Sequence, residues 1–312
     1  MTAPTLIAPS ALTRVAYIAE TTAGTTPSSP VFLPLRVTGA GIRPDKTTQA
    51  IRELSQYGNV PAEVQTGQSG SAAYQFALSY GTFDDIIAAA LNGTWATNVV
   101  KNGTVFNSFT FEETIDYNAS FGYARLVYGL IDTFSLSIAG GKEITGSFSV
   151  KGQKITLATA IIASATYTAP NTNTPMGGGV AASLSVASLS SPLIKSLSID
   201  IKNSIRPQPV IDSLYPGGFG QDLIDVTGTV EIYSNNNAAL QAVLDHGGGS
   251  ISATIGSTTS QKYTIAMSTV TFLDGARQIG GTSADVIYSI PFRATGSDNT
   301  SNPSIQITRA VA

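Results

Sequence analysis

Alternation of apolar and polar residues with a period of two runs through most of this sequence, and it restricts the chain to a fold built from β-strands. Clear examples are residues 134–138, 144–150, 196–201 and 286–292, where Ile, Phe and Ser recur. Clusters of Gly, Asn, Asp and Pro separate these segments and are typical of turns. The pattern therefore predicts a protein that is mainly all-β.

Two segments have helical periodicity instead. Residues 82–91 and 236–245 each carry apolar side chains at i, i+3 and i+4, which predicts a short helix that lays one apolar stripe on a sheet. Thr82 occupies the expected N-cap position of the first helix. The side chains predicted to pack against the sheets are Ile87, Leu91, Leu240 and Leu244.

The order of elements occurs twice, which indicates an internal duplication. A strand ending in Tyr precedes each helix, at residues 74–80 and 227–233, and the tripeptide Ile-Arg-Pro lies upstream in both copies. The two helices correspond at an offset of 153 residues. At roughly 100–200 residues per domain, the chain has room for two. We expect an N-terminal arm (1–30), a first domain (31–155), a linker or elaborated hairpin (156–191) and a second domain (192–312).

Composition excludes several classes of function. The 312 residues include no Cys and one His, which excludes disulfides, thiol catalysis and zinc sites built from Cys or several His. Charged residues make up 12% and the net charge is −3, so the chain offers no basic surface for phosphates. No secretory signal is predicted, and no segment approaches the roughly 18–20 apolar residues of a membrane span.

No group of residues forms a catalytic, metal-binding or cofactor-binding constellation, so we do not expect an enzyme. Glu112 and Glu113 are adjacent carboxylates, but consecutive strand residues face opposite ways and cannot flank one bond. We expect this pair on a solvated or interface surface. His246 follows the second predicted helix, where an imidazole interacts favourably with the helix dipole. It is expected to be a capping residue.

Two Arg-Pro pairs are the more informative charged positions. Proline restricts the preceding residue to extended geometry, so Arg43 before Pro44 and Arg206 before Pro207 are predicted to end strands. Each arginine is then either an exposed charge at a strand end or the partner of a carboxylate across a subunit contact. A chain with few charges, many hydroxyl groups and open strand edges favours a self-assembling structural protein. Duplication also suits a closed ring.

The chain resembles the major tail tube proteins of bacteriophages with long, non-contractile tails. The resemblance rests on Leu33-Pro34-Leu35, the Arg43-Pro44 loop, the strand at residues 69–80, the helix that leads to Trp95, and the strand pair at 134–152. It covers residues 10–155 well and the second half more loosely.

The resemblance implies two tandem β-sandwich or rolled-sheet domains, each flanked by one short helix. Six such domains form a ring whose inner sheets join in a β-barrel, so three chains complete a ring; a ring of six chains is the alternative. Rings stack into a hollow tube for DNA. Residues 43–67 and 206–221 are then candidate inter-ring loops. The candidate interface residues are Arg43, Pro44, Arg52, Glu53, Tyr57, Arg206, Pro207, Tyr215 and Phe219.

Partners implied by the resemblance are other copies of the chain, a tape measure protein and double-stranded DNA without specific binding, and tail terminator and distal tail proteins at the tube ends. The location is the virion tail, assembled in the host cytoplasm, with no membrane and no cofactor. Two other classes remain open. One is another structural β protein, such as a decoration protein, fibre or adhesin. The other is a carbohydrate-binding β domain, for which Trp95 is the one available tryptophan.

Overall fold

A computed structural model describes residues 7–54, 56–118, 120–180, 183–186, 189 and 192–311. These residues form 21 strands, two α-helices and two 3-10 turns, Ser10–Leu12 and Gly178–Val180. The all-β prediction is therefore confirmed. The helices are α1 (Asp84–Ala90) and α2 (Ala238–Leu244). The strands are β1 (Arg14–Ala19), β2 (Val31–Leu35), β3 (Val37–Gly39), β4 (Ile42–Ile51), β5 (Ala62–Ala77), β6 (Val99–Lys101), β7 (Phe109–Asp116), β8 (Phe121–Ala139), β9 (Thr145–Gly152), β10 (Lys154–Ala158), β11 (Thr166–Tyr167), β12 (Ser183–Val186), β13 (Ile194–Lys202), β14 (Arg206–Gln208), β15 (Gly218–Gly220), β16 (Asp225–Tyr233), β17 (Gly248–Ile255), β18 (Tyr263–Phe272), β19 (Ala276–Gln278), β20 (Ile287–Ala294) and β21 (Gln306–Arg309).

One antiparallel sheet runs through both halves of the chain, in the order β4–β5–β9–β8–β13–β16–β20–β19. Alternate residues of its strands point to opposite faces. Phe134, Phe148, Leu197, Val230 and Ile290 lie on the buried face. The period-two alternation of the sequence is thus the division between a buried apolar face and a polar face of this sheet.

Strand β8 belongs to both layers of the first half of the chain. Its first part pairs with β7 and β10, and its second part pairs with β9 and β13. Tyr128 marks the bend, with a left-handed φ of 56°, and its backbone N–H donates to the Glu20 carboxylate at 2.9 Å. Across the two layers the rings of Phe111 and Tyr74 stack at 5.6 Å.

The pairing order of the first half recurs in the second. Strand β18 pairs with β17 along nearly its whole length, with β21 along its first part and with β20 at its end. The corresponding partners of β8 are β7, β10 and β9. Strand β13 lies beside β16 in the second half, as β3 lies beside β5 in the first. Strand β19 lies beside β20, as the second part of β8 lies beside β9. The sequence order and the pairing order therefore repeat together.

Two segments differ from expectation. Strand β1 falls inside the N-terminal arm predicted for residues 1–30, yet it lies between β2 and β7 with Val15, Ala16 and Tyr17 buried. The arm prediction was wrong for these residues because their apolar side chains join the core; residues 1–6 lie outside the described residues. In the segment 156–191, β11 pairs with β2 and β12 pairs with β17, so it contacts both halves. Residues 181–182, 187–188 and 190–191 of it are not described.

The first helix is shorter than the pattern predicted. It begins after Phe83, which stands at the N-cap position without a side-chain cap. The predicted cap, Thr82, is instead hydrogen-bonded to the Ser79 hydroxyl at 2.7 Å. Ile87 and Leu91 are both buried, and the helix packs on β8.

The two helices end alike, at an offset of 154 rather than 153 residues. Asn92 and His246 both have a left-handed φ of 48°, and the next glycine N–H closes each helix through a backbone hydrogen bond. His246 thus forms the end of α2 through its backbone geometry. The packing prediction was wrong for Leu244, whose side chain is 71% exposed, while Leu240 is half-buried. The side of α2 that packs against the core carries Ala239, Ala242 and Val243, so Leu244 lies on the exposed side.

A seam joins the two halves of the chain. Seven residue pairs link β8 to β13, and β6 pairs with β21. Asn203, which follows β13, is 1% exposed and donates to the carbonyl oxygens of Ala90 at 3.1 Å and Ile131 at 2.9 Å. Tyr263 and Arg309, from the second half, both contact the Asp84 carboxylate of α1. The helix of the first half is therefore clamped by the second half.

Candidate functional site

The first candidate stretch, residues 43–67, is a strand hairpin rather than a loop. Arg43 and Pro44 lie within β4, opposite Ser71 and Gly70 of β5. The Arg43 side chain donates to the Ser71 hydroxyl at 2.9 Å and pairs with Asp45 at 3.6 Å. The strand-end prediction was wrong here because Pro44 is tolerated on an edge strand.

The hairpin tip is exposed and partly apolar. Arg52 and Glu53 follow β4 and are exposed, and Tyr57 is 76% exposed. Leu54 and Val60, which the sequence analysis did not single out, are 107% and 58% exposed. Large apolar side chains that a hairpin holds out in solvent mark a surface for contact with another molecule.

The second candidate stretch forms a smaller arm. Arg206 and Pro207 lie in β14, opposite Gly220 and Phe219 of β15, so Arg206 begins a strand instead of ending one. The connecting loop exposes Ile211 fully, at 108%. Its end is fixed by ring contacts: Phe219 meets the Tyr128 ring edge-on at 5.2 Å, and the Lys154 ammonium lies 5.4 Å from the centre of the Tyr215 ring.

The fold brings the two arms together, although Arg43 and Arg206 are separated by 163 positions in the sequence. The Gln68 backbone N–H donates to the Leu214 carbonyl at 2.7 Å, which ties the base of the first arm to the loop of the second. A groove of about 570 Å³ lies between them, lined by residues of both arms, Lys151 and Gly152. The two predicted stretches are thus one composite projection from one end of the sheet.

The polar face of the long sheet is a second candidate surface. Hydroxyl side chains cover it, and they bond across strands: Thr133 with Ser149 at 2.6 Å, and Ser135 with Ser147 at 2.8 Å. We call this surface the hydroxyl face. Its central members are Thr133, Ser135, Ser147, Ser149, Ser198 and Thr229.

Four charged groups on the hydroxyl face in the second half form two ion pairs, whereas Asp200 and Lys202, exposed on the same side of β13, form none among the described residues. Arg293 and Asp225 form an ion pair at 3.0 Å, and Lys195 and Glu231 form another at 3.0 Å. Hydrogen bonds from Lys195 and then from Ser196 hold the pKa of the Glu231 carboxyl below its ordinary value. This part of the face therefore presents compensated charges rather than a field of one sign.

The carboxylates at positions 112 and 113 have structural roles, and the expectation of a solvated or interface surface was wrong. Glu112 is fully buried, accepts a hydrogen bond from Arg125 at 2.7 Å and is 3.7 Å from Arg14. Tyr167 donates to it at 2.5 Å. Glu113 points to the other side of β7, where burial raises the pKa of its carboxyl. Both faces of β7 are covered, so Glu112 has no exposed surface and Glu113 keeps only 8%.

Neither helix in the described ranges has the length and apolar character needed to cross a bilayer. Across the same ranges, no three His, Cys, Asp or Glu side chains are grouped so that they could hold a metal ion.

Comparison with known proteins identifies the family. No curated protein matches the sequence. The model of the family described as phage tail tube protein matches residues 10–294, which is most of the chain. That family consists of structural components of the virion tail, which points to a non-enzymatic role. The match spans both arms, the β8–β13 pairing of the seam and the hydroxyl face, and the chain belongs to the phage tail tube protein family.

Proposed function

We propose that this chain builds the hollow tail tube of a phage with a long, non-contractile tail, as a structural protein without catalytic activity. Copies assemble into closed rings, and rings stack into a tube that delivers DNA to the host. Residues 31–155 and 192–312 act as tandem copies of one domain. Three chains then supply the six domains of a ring, with a ring of six chains as the alternative.

The observation that carries this proposal is a sheet with a closed internal seam and two open ends. Within the described residues, β3 and β4 pair with β5 alone and β19 pairs with β20 alone. In the repeated pairing order, the edge at β3 and β4 has the position of β13, and the edge at β19 has the position of the second part of β8. Strand β13 and the second part of β8 pair with each other at the seam. Open edges invite pairing with another chain. Repeating the seam between copies joins β19 of one chain to β3 and β4 of the next.

The composite projection formed by the two arms supports the proposal of ring stacking. Leu54 at the first tip and Ile211 at the second project from the same end of the sheet and expose large apolar surfaces. Burying one such side chain against a neighbouring ring contributes about 1.5–3 kcal/mol. On this proposal Arg52, Glu53 and Tyr57 lie at the inter-ring contact, and Tyr215 and Phe219 hold the second tip in place.

The hydroxyl face is the proposed lining of the channel. It lies opposite the core, and its strands run without a break from the first half to the second. Basic residues are present on this face: Arg293 and Lys195 are each paired with a carboxylate, whereas Lys151 and Lys202 form no ion pair among the described residues. Because affinity for nucleic acid grows with the number of cations that neutralise phosphates, a face made mainly of neutral hydroxyls with few unpaired cations holds DNA weakly. Double-stranded DNA and a tape measure protein would pass along this surface without specific binding.

The remaining partners follow from the proposed tube. A tail terminator and a distal tail protein would close its two ends, since an open stack of rings has an unpaired surface at each. Assembly would take place in the host cytoplasm before the tail joins the virion.

Negative-stain electron microscopy of the purified protein at high concentration tests the proposal. We expect hollow rings or tubes with a central channel and, viewed down the axis, three-fold symmetry with six similar lobes. Six chains per ring would refute the trimer and leave the tube. Compact particles that never polymerise, even when tail-tip complexes nucleate them, would refute the tube and favour a decoration module.

A matched pair of variants tests the role of the arm. Ile211→Asp places a charge at the fully exposed tip, so we expect rings that no longer stack. Ile211→Val keeps an apolar side chain and should stack as the wild type does. Normal tubes from Ile211→Asp would show that this tip lies outside the inter-ring contact.

A further inference from the structure

The two helices occupy corresponding places in the repeated pairing order but differ sharply in burial. In α1 every residue from Ile86 to Ala90 is buried. In α2 Ala239 is the buried residue, and Leu244 is 71% exposed. Both helices pack on their own sheet, α1 on β8 and α2 on β20, so the difference lies on the opposite side of each helix.

The second half of the chain covers the outer side of α1. Tyr263 donates to the Asp84 carboxylate at 2.5 Å, and the Arg309 guanidinium pairs with the same carboxylate. Asn203 bonds to the carbonyl oxygen of Ala90 at 3.1 Å. Residues three apart share a helix face, so Ile87 lies between these two contacts and is 3% exposed.

The corresponding side of α2 has no cover among the described residues. At the offset of 154 set by the helix ends, Asp84, Ile87 and Ala90 correspond to Ala238, Gln241 and Leu244. All three of the α2 residues are exposed. We call this surface the α2 face; its one large apolar side chain is Leu244.

Helix α2 lies beside the open edge of the sheet. A side-chain carbon built at Gly275, just before β19, would lie 2.9 Å from Val243 of α2, so the helix packs beside the segment that leads into this edge. At the internal seam, the covered helix α1 likewise adjoins the edge of β8 that pairs with β13. A chain that pairs with β19 is therefore positioned to reach α2.

We infer that the first half of a second copy of this chain covers the α2 face, arranged on α2 as the second half is arranged on α1. The elements that cover α1 are β18, β21 and the segment after β13. Their counterparts in the first half are β8, β10 and the segment around residues 39–42. Strand β10 also exposes Leu157, at 81%, as apolar surface for such a contact. This inference rests on the proposed head-to-tail ring.

The composition of the α2 face suits a contact that forms after folding. The face replaces the partly buried Asp84–Arg309 ion pair of α1 with Ala238 and the neutral amide of Gln241, which donates to the Asp245 carboxylate beyond the helix at 2.8 Å. Neither Ala238 nor Gln241 carries a charge that must lose its water when copies meet. One exposed leucine is a small apolar patch, which a separate subunit tolerates in solution. On α1, where the corresponding face is covered within the chain, Asp84 and Arg309 form an ion pair across it.

Two substitutions at one position test the inference through assembly. Leu244→Glu should raise the protein concentration needed for tube formation by about tenfold or more, since losing one buried leucine costs at least about 1.4 kcal/mol. Leu244→Met keeps an apolar side chain and should assemble near the wild-type concentration. Leu244 is exposed in the separate subunit, so unassembled subunits of both variants should unfold at the same Tm as the wild type.

Cross-linking identifies the occupant. The chain has no Cys, so Leu244→Cys carries a single thiol for attachment of a benzophenone photo-cross-linker. Irradiated tubes assembled from mixed isotopically light and heavy chains should give an intermolecular product that maps to residues 31–158. Products that map to 192–311, or normal tubes from Leu244→Glu, would overturn the inference while the tube proposal stands. Failure of the wild type to form rings would overturn both.

Discussion

Removing the Asn203 side chain should loosen the seam between the two halves. Its amide nitrogen donates to Ala90 O at 3.1 Å and Ile131 O at 2.9 Å. Its carbonyl oxygen accepts from Gln221 at 3.2 Å and, more weakly, from Asn92 at 3.4 Å. The residue is 1% exposed, so water cannot replace these partners in the folded chain.

The expected loss in the Asn203→Ala variant follows from its two well-formed donor bonds. A buried hydrogen bond contributes about 0.5–1.5 kcal/mol, and a buried group left without a partner costs about 1–3 kcal/mol. Two carbonyl oxygens lose this donor, so we expect the free energy of unfolding to fall by about 2–4 kcal/mol. With an unfolding entropy of about 2.1 cal/mol/K per residue, Tm falls by about 3–6 °C.

Differential scanning calorimetry of unassembled subunits measures this change. Asn203→Asp keeps the acceptor oxygen but loses the two donors, so it should be at least as destabilising as Asn203→Ala. Asn299→Ala is the control, because Asn299 is exposed and accepts a single side-chain bond from Asn102. It should change stability by less than about 0.5 kcal/mol. A wild-type Tm in both Asn203 variants would refute the view that this side chain holds the seam.

Three further predictions concern the core. Arg125→Met leaves the buried Glu112 carboxylate without its closest cation and should lower the free energy of unfolding, measured in urea, by about 3–5 kcal/mol. Burial raises the pKa of Glu113 above 4.5, so the wild type loses stability as pH rises from 4.5 through the folded-state pKa. Glu113→Gln removes this loss, so the Tm of the variant relative to that of the wild type should rise between pH 4 and pH 7. Gly228→Ala places a side-chain carbon 2.2 Å from a backbone oxygen of the next strand and should cost about 1–3 kcal/mol by urea unfolding, whereas Gly281→Ala, which meets open space, should be neutral.

Local pattern predicted the elements well because strands and short helices are decided by residues close in sequence. The alternation at residues 196–201 is the alternation of burial seen in β13, with Leu197, Ile199 and Ile201 in the core. The pattern could not show that β13 pairs with β8, because the two strands are far apart in the chain and each presents the same alternation. The seam is therefore a property of the fold that periodicity does not encode.

The candidate site was predicted in part, and the misses share one cause. The Arg-Pro pairs correctly marked the positions of both arms. A polar strand on a free edge has the composition of a loop, so the pattern predicted a loop where β4 lies. Glu112 was expected at a surface because nothing in its own strand predicts that Tyr167 and Arg125 approach it. Burial on both faces of a strand depends on residues from other elements, and local composition does not report it.

Duplication with divergence explains why the two helices differ in chemistry as well as in burial. In the proposed assembly, each chain contains one seam that forms during folding, and its two open edges form a second kind of seam with neighbouring copies. The internal seam can partly bury the Asp84–Arg309 ion pair, because both partners lose most of their contact with water as the chain folds. An unpaired Asp at the matching position of α2 would remain hydrated until assembly and would then lose its water, at a cost that opposes ring closure. Ala238 avoids that cost, so the loss of charge on α2 is what a head-to-tail ring requires of its outer seam.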